Sequence, residues 1–491
     1  MQDDALARLD EAFTRPRSPE RRSVRPQPAA ATVPAVEPAP TVLPLSASRR
    51  TFRERWHLVE VFLIAQFCAS AILFIPGTQS VRPLVRALPY LSAAAMLLLY
   101  FTRHIRRRPP AGSMTLMGAL GLLALNLLHP TSQLYAGLAQ CAFQVAIAAP
   151  AFWAWKAIGD ASRLRRALHW IFALNAVAAF VGILQVYFPD SFLPPEFSTL
   201  GLQMNEYFVD ALTYVGSDGR LIVRPPGLTD LPGGAAVAGF IAAILGVGLS
   251  LHARGPVAVL RYLVPAAAGF AVIYLSQVRS LLLMAIVAVA VIGAVAIRQG
   301  RLSAGLWALG GGGLLIAGAF AWALSVGGEA VETRFMGLAE AGAMEAYEES
   351  RGHFLSYTVT ELLDEFPLGA GVGRWGMMNI YFGDPTNLAS QPIYVEIQLT
   401  GWLLDGGVPM WVLYGGAILL ALLATYRLTV QRRDPEVASL AAIVLGLQVA
   451  IVGMGMAGPV FNNQLGLLFW FVGAALHGAS TASLPRWQRG G

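Results

Sequence analysis

Charged residues are scarce in this chain: Asp, Glu, Lys and Arg together make up 13% of its 491 residues. Lysine is almost missing, with Lys156 as its single instance, whereas 56% of the residues are hydrophobic. Soluble globular domains carry about 25% charged residues. The composition therefore excludes an ordinary soluble domain. The net charge of +6 comes from short arginine groups between apolar runs, which does not indicate nucleic-acid binding.

The residue patterns that bind metals or form disulfides are also absent from the sequence. The two cysteines, Cys68 and Cys141, lie inside apolar segments, which favours a packing role. The seven histidines are dispersed, and no carboxylates have the spacing of a cation-binding loop. We therefore expect neither a metal ion nor another cofactor.

What the chain does contain is a series of apolar runs, each long enough to cross about 30 Å of hydrocarbon. These runs predict an all-α polytopic membrane protein with about twelve transmembrane helices. The predicted spans are 57–76, 87–102, 112–128, 134–155, 167–188, 234–252, 257–276, 280–297, 303–326, 406–426, 437–457 and 464–479.

Arginine groups predict the orientation of these spans. They fall in alternate connections, at 49–55, 103–108, 163–166, 298–301 and 427–433. The positive-inside rule places these connections, and with them both termini, in the cytoplasm. Residues 1–50 are rich in Pro, Ala and charge and predict a disordered cytoplasmic tail without the features of a signal peptide. A second, short cytoplasmic tail is expected at 481–491.

Two long outer loops, 189–233 and 327–405, divide the predicted spans. The first lies within the block of nine spans at 51–326, and the second precedes the three spans at 406–480. Long loops in a compact protein are usually functional. The second loop is expected to contain two helices. One has an apolar stripe of Leu355, Val359, Leu362, Leu363 and Phe366 that ends at Pro367; the other runs through 392–411 with a break at Gly406, Gly407 and Pro409.

Three alternating glycines follow the first of these helices, in the segment LGAGVGRWG. Gly369, Gly371 and Gly373 are a weak signal for a phosphate-binding loop, because no strand precedes them. The series favours a tight turn whose backbone approaches another part of the molecule closely.

Arginines on the outer side are few, and they suggest a ligand. They are Arg82, Arg86, Arg220, Arg224, Arg279, Arg334, Arg351 and Arg374. Arg279 stands at the edge of the apolar run 276–297, where a charge is costly and usually faces a partner or a wet cavity. Each of these arginines could also be an ordinary paired or snorkelling side chain. Several guanidiniums at the membrane lip would suit a lipid-linked pyrophosphate, because guanidinium forks bind phosphate oxygens bidentately.

A catalytic base is needed if a sugar hydroxyl attacks such a substrate. Glu396 is the best-placed carboxylate, expected in a largely apolar helix where desolvation would raise its pKa. His353, next to Arg351, is the rival candidate. Both have simpler interpretations: Glu396 as a salt bridge to a nearby arginine, and His353 as a solvent-facing residue at a helix start.

Three stretches give the chain a family resemblance. They are RPPGLTDLPGGAA, SQVRSLLL, and ESRGHFLSYTVTELLDEFPLGAGVGRW followed by VEIQLTGWLLDGGVPMWVLY. Over roughly 165–425 the chain resembles the superfamily of O-antigen ligases and O-antigen or exopolysaccharide polymerases. The order of the motifs and their placement in a twelve-span topology with a large late outer loop carry this resemblance.

The resemblance implies a metal-independent glycosyltransferase of the GT-C kind in the bacterial inner membrane. Its substrate would be an undecaprenyl-pyrophosphate-linked oligosaccharide on the periplasmic side, and a chain-length regulator is a further expected partner. Arg224 and Arg279 match the family's donor-pyrophosphate arginines, and Arg351 matches the arginine that opens its loop helix, so the expected pyrophosphate-binding residues are Arg224, Arg279 and Arg351. Gly233 stands where the family has asparagine, and the loop His-Asn of ligases is missing. These departures favour a polymerase over a ligase.

Two other classes stay open on the sequence alone. A transporter or lipid flippase would be expected to show internal repeats and helices broken at the midplane. No clear repeat is present, and the intramembrane charges lie near one lip. A non-catalytic assembly partner is disfavoured by the long outer loops.

Overall fold

The computed structural model describes residues 56–75, 78–102, 108–193, 212–340, 342–431 and 434–482. The predicted disordered tail at 1–50 lies outside the described residues, as does nearly all of the predicted tail at 481–491.

Helices dominate the described chain. In order, they and the two strands are α1 (Trp56–Cys68), α2 (Arg82–Phe101), α3 (Ser113–Leu125), α4 (Leu134–Ala148), α5 (Pro150–Ala157), α6 (Ala161–Tyr187), α7 (Pro189–Phe192), β1 (Thr213–Val215), β2 (Leu221–Val223), α8 (Gly234–Ser250), α9 (Pro256–Leu275), α10 (Arg279–Arg298), α11 (Leu302–Glu340), α12 (Gly342–Tyr347), α13 (His353–Tyr357), α14 (Leu363–Glu365), α15 (Gly376–Phe382), α16 (Gln398–Thr429), α17 (Pro435–Met454) and α18 (Gln464–Ala482). Short 3-10 turns lie at Ala69–Phe74, Thr78–Val81, Asn126–Leu128, Leu388–Ser390 and Val460–Asn462.

Among the described residues, eight helices are long and apolar enough to cross a membrane, judged by length and composition. They are α2, the joined pair α4 and α5, α6, α9, α10, α11 as far as Met336, α16 and α17. Three more predicted spans coincide with shorter apolar helices, at Leu58–Phe74, Ser113–Leu128 and Gly234–Ser250, and the last predicted span coincides with α18. The chain is thus a helical, multi-pass membrane protein, and the count of twelve crossings stays a prediction.

Helix α8 lies at the centre of the bundle and packs against α6, α9, α10 and α17. Its residues are buried along nearly the whole length. Small residues permit this packing: a Cβ on Gly239 would lie 2.5 Å from the carbonyl oxygen of Gly269 in α9. Membrane helices associate through such close approaches, because lipid offers no hydrophobic driving force for their association.

Three of the arginine-rich connections meet at one end of the bundle. Arg165 pairs with Glu436 at the start of α17, at 2.9 Å. Gln299 Nε2 donates to the carbonyl oxygen of Thr429 at 2.9 Å, and Arg301 donates to that of Leu251 at 3.2 Å. The connections at 163–166 and 298–301 and the described part of the third, 427–431, therefore share one face. That this face is cytoplasmic stays a prediction.

The described parts of both long loops contribute to the opposite end. Asp230 of the first loop accepts ion pairs from Arg82 at 3.1 Å and Arg86 at 2.7 Å, at the start of α2. Arg86 also donates to the Tyr381 hydroxyl of the second loop at 3.1 Å. These contacts hold parts of the two loops next to each other, over the end of the bundle away from the arginine-rich connections.

The first loop contains strand structure that the all-α prediction missed. β1 and β2 form an antiparallel hairpin in which Thr213 pairs with Val223 and Val215 with Leu221. The turn contains Asp218 and Gly219, and Gly219 has a φ of +78°. Asp-Gly between two β-branched runs is a hairpin signal that the hydropathy pattern of the spans does not reveal.

The second loop differs from its prediction at two places. Its first helix has π-helical turns at Glu348–Gly352 and Thr358–Leu362, and the widened turns change which residues face inward. Thr358 is buried and bonds the Thr400 hydroxyl at 2.6 Å, whereas Val359, expected on the apolar stripe, is 48% exposed. Leu362 is buried as expected. The helix ends at Glu365, just before Pro367.

The expected second helix begins later than predicted, so the placement of Glu396 in a helix is wrong. Residues 391–397 are not helical, Ile397 has extended backbone angles, and α16 begins at Gln398. In this non-helical segment Ile393 and Val395 pack against Trp375 and Leu404. β-branched residues suit an extended, half-buried backbone better than a helix, which accounts for the difference.

Glycine breaks mark the ends of the second loop. α11 continues past 326 but bends at Gly328, whose φ and ψ are +54° and −142°. α16 carries the predicted break at Gly406 and Gly407, both of which have non-helical backbone angles. The predicted boundaries at 326 and 406 therefore fall at kinks within long helices rather than at helix ends.

Candidate anion site at the outer end of the bundle

Arg224 is held by its own backbone at the end of the hairpin. Its N–H donates to the carbonyl oxygen of Leu212 at 2.8 Å, and its carbonyl oxygen accepts from Gly233 N–H at 3.0 Å. Gly233 lies directly before α8 and has a φ of +76°, which glycine adopts without steric cost. The segment between Arg224 and Gly233 thus forms a closed loop that directs Arg224 to the end of the bundle.

Arg279 is the first residue of α10, directly after a tight turn from α9. Within that turn Gln277 has a φ of +55°, in the left-handed region, and its N–H donates to the Tyr274 carbonyl oxygen at 2.9 Å. A non-glycine residue in this region costs about 1–3 kcal/mol, and such strain clusters at functional sites. The turn places the partly buried Arg279 side chain at the N-terminus of a 20-residue helix.

Arg334 joins these two arginines, although the sequence analysis did not select it for the site. It lies in α11 beyond the bend at Gly328. Its neighbour Phe335 packs edge-on against Tyr274, with ring centroids 4.7 Å apart. The sequence does contain one relevant signal, the pair Gly327 and Gly328 shortly before Arg334. These glycines allow α11 to bend towards the α9–α10 connection.

The exposed Arg334 lies within electrostatic range of both Arg224 and Arg279. The charges of Arg279 and Arg224 both act repulsively on Arg334. Burial lowers the pKa of Arg224, and the nearby Tyr214 hydroxyl partly offsets this. Burial has the opposite effect on Tyr214, whose pKa it raises, because it disfavours the charged form of either group. In the described part of the chain, none of the three arginines has a carboxylate partner. We call Arg224, Arg279 and Arg334 the arginine cluster.

Polar atoms in the segments that carry the cluster also lack partners. Arg224 Nε, the Tyr214 hydroxyl, Ser276 Oγ and Gln277 Nε2 are buried and make no hydrogen bond with the described residues. Most buried polar atoms in proteins are hydrogen-bonded, and unpaired ones call for an explanation. Uncompensated positive charge, unpaired donors and a helix N-terminus together make a site suited to an anion.

Arg351 belongs to a second polar group. It forms an ion pair with Glu396, and the Tyr394 hydroxyl donates to the other oxygen of that carboxylate. Burial lowers the pKa of Arg351, with Tyr394 and Tyr347 opposing that shift. Within the described chain, no interaction joins Arg351 to the arginine cluster. The salt-bridge interpretation of Glu396 thus has a partner in the structure, and its role as a base stays a prediction.

His353, the rival base, is exposed. Its ring lies against the neighbouring Phe354, with centroids 3.9 Å apart. It makes no hydrogen bond or ion pair to another described side chain. This position at the start of a short helix matches the simpler interpretation of a solvent-facing residue, and a catalytic role stays a prediction.

The three glycines approach protein backbone rather than an open pocket. Gly369, Gly371 and Gly373 have φ values of +104°, +87° and +83°. The loop pairs with the start of α4, since Gln133 N–H donates to Val372 O at 3.1 Å and Val372 N–H donates to Ser132 Oγ at 2.9 Å. The glycine loop therefore anchors the second outer loop to the bundle.

Two buried side chains complete this anchor. Arg374 donates to the carbonyl oxygens of Ala370 at 3.1 Å and Gln391 at 3.0 Å. Trp375 Nε1 donates to the Asp405 carboxylate at 2.8 Å, directly before the break in α16. Asp405 is thus a buried acid that accepts a structural hydrogen bond at a helix break.

Two comparisons with known proteins find no relative of this chain. No protein-family model matches the chain, and a search of curated proteins finds no match. Within the described residues, no group of three or more His, Cys, Asp or Glu side chains could hold a metal ion. The unpaired arginine cluster is therefore the feature from which chemistry can be assigned to this chain.

Proposed function

We propose that the chain is a membrane glycosyltransferase of the GT-C kind that polymerises undecaprenyl-pyrophosphate-linked repeat units. The product would be exopolysaccharide or O-antigen, made on the periplasmic side of the bacterial inner membrane. The observation that supports this most is the arginine cluster: Arg334 interacts with the charges of Arg224 and Arg279, and none of the three pairs with a carboxylate among the described residues.

A pyrophosphate attached to a lipid fits that location. The polyprenyl chain would lie among hydrocarbon beside the helices, and the two phosphates would reach the membrane lip where α10 begins. Guanidiniums stay charged and bind phosphate oxygens in pairs. Three of them would offset the charge of the bound pyrophosphate and stabilise the further charge that develops as it leaves.

The proposed reaction needs one proton acceptor. The hydroxyl oxygen of the acceptor sugar forms a bond to the anomeric carbon, the bond from that carbon to the phosphate oxygen breaks, and undecaprenyl pyrophosphate departs with the bonding electrons. The hydroxyl proton passes to the Glu396 carboxylate. The ion pair with Arg351 and the bond from Tyr394 would orient that carboxylate.

A ligase that transfers finished glycan to lipid A core is the first alternative, because it would use the same pyrophosphate site. A lipid flippase is an alternative of another class and would also need to bind pyrophosphate. The cluster lies at one end of the bundle. This position favours a reaction at the membrane surface over transport of a lipid through the membrane midplane.

Deletion of the gene separates these functions. Loss of a polymerase should leave single repeat units attached to the acceptor. Loss of a ligase should leave long chains on undecaprenyl pyrophosphate, and loss of a flippase should leave single lipid-linked units in the inner leaflet. Electrophoresis of the envelope glycan together with mass spectrometry of the lipid-linked pool would distinguish the three, and unchanged glycan in both assays would contradict all of them.

Glu396→Gln is expected to lower turnover about a hundredfold or more while changing donor affinity much less, since general-base catalysis contributes about 10²–10⁴-fold. Polymer formation from lipid-linked units, measured with purified protein in nanodiscs, gives both quantities. Glu361→Gln is a matched control, because Glu361 is exposed on the same outer loop. An unchanged rate in Glu396→Gln would place the base elsewhere, with His353 as the next candidate.

A further inference from the structure

A cleft of about 500 Å³ opens along the first of the two long loops. The end of α6, helix α7, the β1–β2 hairpin and α11 at Ser325 and Val326 form its walls. Ligand pockets for small molecules typically measure about 300–1,000 Å³. The cleft is thus large enough for a ligand, and nothing in the proposed pyrophosphate chemistry uses it.

Hydrogen bonds fix the wall that the hairpin provides. Ser217 N–H donates to the Val326 carbonyl oxygen at 3.0 Å, and Ser217 Oγ donates to that of Ser325 at 2.9 Å. A Cβ on Gly328 would lie 3.0 Å from the Ser217 Cα, so the hairpin sits tightly on the bend of α11. These contacts therefore fix the hairpin and α11, two walls of the cleft, relative to each other.

The polar side chains of the cleft suit hydroxyl groups. The Asp190 carboxylate lines it and has no hydrogen bond or ion pair to other described residues. Asp218, which like Asp190 is exposed and lines the cleft, pairs with Arg220 at 2.5 Å. A carboxylate offers only acceptors and a guanidinium only donors, so together they can bind both the hydrogens and the oxygens of neighbouring hydroxyls.

One aromatic ring adds an apolar surface to these polar groups. Tyr187 lines the cleft, is 42% exposed, and stacks on Trp322 of α11 with centroids 6.0 Å apart. The stacking holds the ring in a fixed orientation. A ring beside carboxylate and guanidinium groups matches a ligand with one apolar C–H face and a rim of hydroxyls, which is the surface of a pyranose sugar.

The cleft adjoins the arginine cluster along the chain. Val223 lines the cleft, and the next residue is Arg224 of the cluster. α11 contributes to both, through Ser325 at the cleft and Arg334 beyond the bend. A sugar joined to a pyrophosphate is therefore the ligand to test at both places.

We propose that this cleft binds a saccharide, with Asp190 and Tyr187 as its main contacts. The proposal rests on the proposed function, since it assigns the sugar of that same reaction to the cleft. Two saccharides have this chemistry, the sugar of the lipid-linked donor and the sugar of the acceptor.

The test uses purified full-length protein in nanodiscs and the oligosaccharide repeat released by mild acid from the source bacterium's envelope polysaccharide. Titration by saturation-transfer NMR should show binding to the wild type. Asp190→Asn should raise the dissociation constant about tenfold, the loss expected for a hydrogen bond to a charged group. Tyr187→Ala should raise it as well, because the apolar ring contact is lost. Asp364→Asn, an exposed acid of the other outer loop, should leave it unchanged. No binding to the wild type, or equal binding in all variants, would overturn the proposal.

A second titration with inorganic pyrophosphate distinguishes this proposal from the function on which it rests. Pyrophosphate binding should need Arg279 and should be unaffected by Asp190→Asn, which also shows that the variant is folded. If pyrophosphate binding is independent of the arginine cluster, the proposed function fails. If pyrophosphate binding depends on the cluster but saccharide binding is unchanged in Asp190→Asn and Tyr187→Ala, only the cleft proposal fails.

The pyrophosphorylated repeat identifies which sugar the cleft takes. If the cleft holds the donor sugar, Asp190→Asn should weaken binding of the pyrophosphorylated repeat as much as that of the free repeat. If the cleft holds the acceptor sugar, only the free repeat should lose affinity.

Discussion

Arg279→Ala should abolish polymer formation while leaving the protein inserted in the membrane at normal abundance. Losing one well-placed donor to a developing negative charge costs about 10²–10³ in rate, and Arg279 also supplies charge at the N-terminus of α10. Arg224→Ala should have the same effect, because both guanidiniums act on one site. Glycan electrophoresis from complemented deletion cells and pyrophosphate titration of purified protein measure the two consequences.

Arg298→Ala is the matched control, since Arg298 lies in the last turn of the same helix and donates to the Tyr426 hydroxyl at the other end of the bundle. It should leave chain length and pyrophosphate affinity unchanged. Arg279→Lys should fall between wild type and alanine, because an ammonium keeps the charge but loses the bidentate fork. Polymer of normal length in Arg279→Ala and Arg224→Ala would contradict the pyrophosphate site.

Gly373→Ala should be the most destabilising single change in the outer loops. A Cβ at this position would lie 2.4 Å from the backbone nitrogen of Gly137 and 2.7 Å from the carbonyl carbon of Ala136, with φ at +83°. Backbone cannot move aside as a flexible side chain can. Strain and overpacking each cost about 1–3 kcal/mol, so a loss of about 3 kcal/mol or more is expected. Thermal unfolding in detergent and the abundance of protein in membranes would report it.

Gly219→Ala is the control for Gly373→Ala, because it measures the cost of a positive φ without steric crowding. Gly219 has a φ of +78° in the hairpin turn, but nothing lies within 4 Å of the position a Cβ would take. We expect a loss of about 1–2 kcal/mol, the cost of the left-handed conformation. Equal melting temperatures for the two variants would show that the glycine loop does not pack tightly against α4.

The site shows how far residue types can predict an arrangement. Arg279 could be selected from sequence because a charge at the edge of an apolar run is locally unusual. Arg334 could not be preferred over Arg351, because both lie in the same long outer segment, and a bend at Gly328 determines which one reaches the cluster. Arg351 is instead paired with Glu396.

Glu396 itself illustrates a second limit. The stretch IYVEI reads equally well as part of an apolar helix or as an extended segment. The extended form prevails because Ile393 and Val395 find a packing surface on Trp375 and Leu404, and Ile393 N–H bonds to the Arg374 carbonyl oxygen at 2.8 Å. Those partners are far enough along the chain that no local pattern reveals them.

By itself, the sequence determined that this chain is a helical membrane protein, where its apolar helices lie, and where several of its helices break. Hydrophobic length, glycine and proline act locally, so a short window contains their effect. Only the tertiary structure decided which arginines lie within electrostatic range of one another and that a cleft of about 500 Å³ opens along the first long loop. Those outcomes depend on glycine bends and on contacts between distant segments, where one turn of a helix moves a side chain from one partner to another.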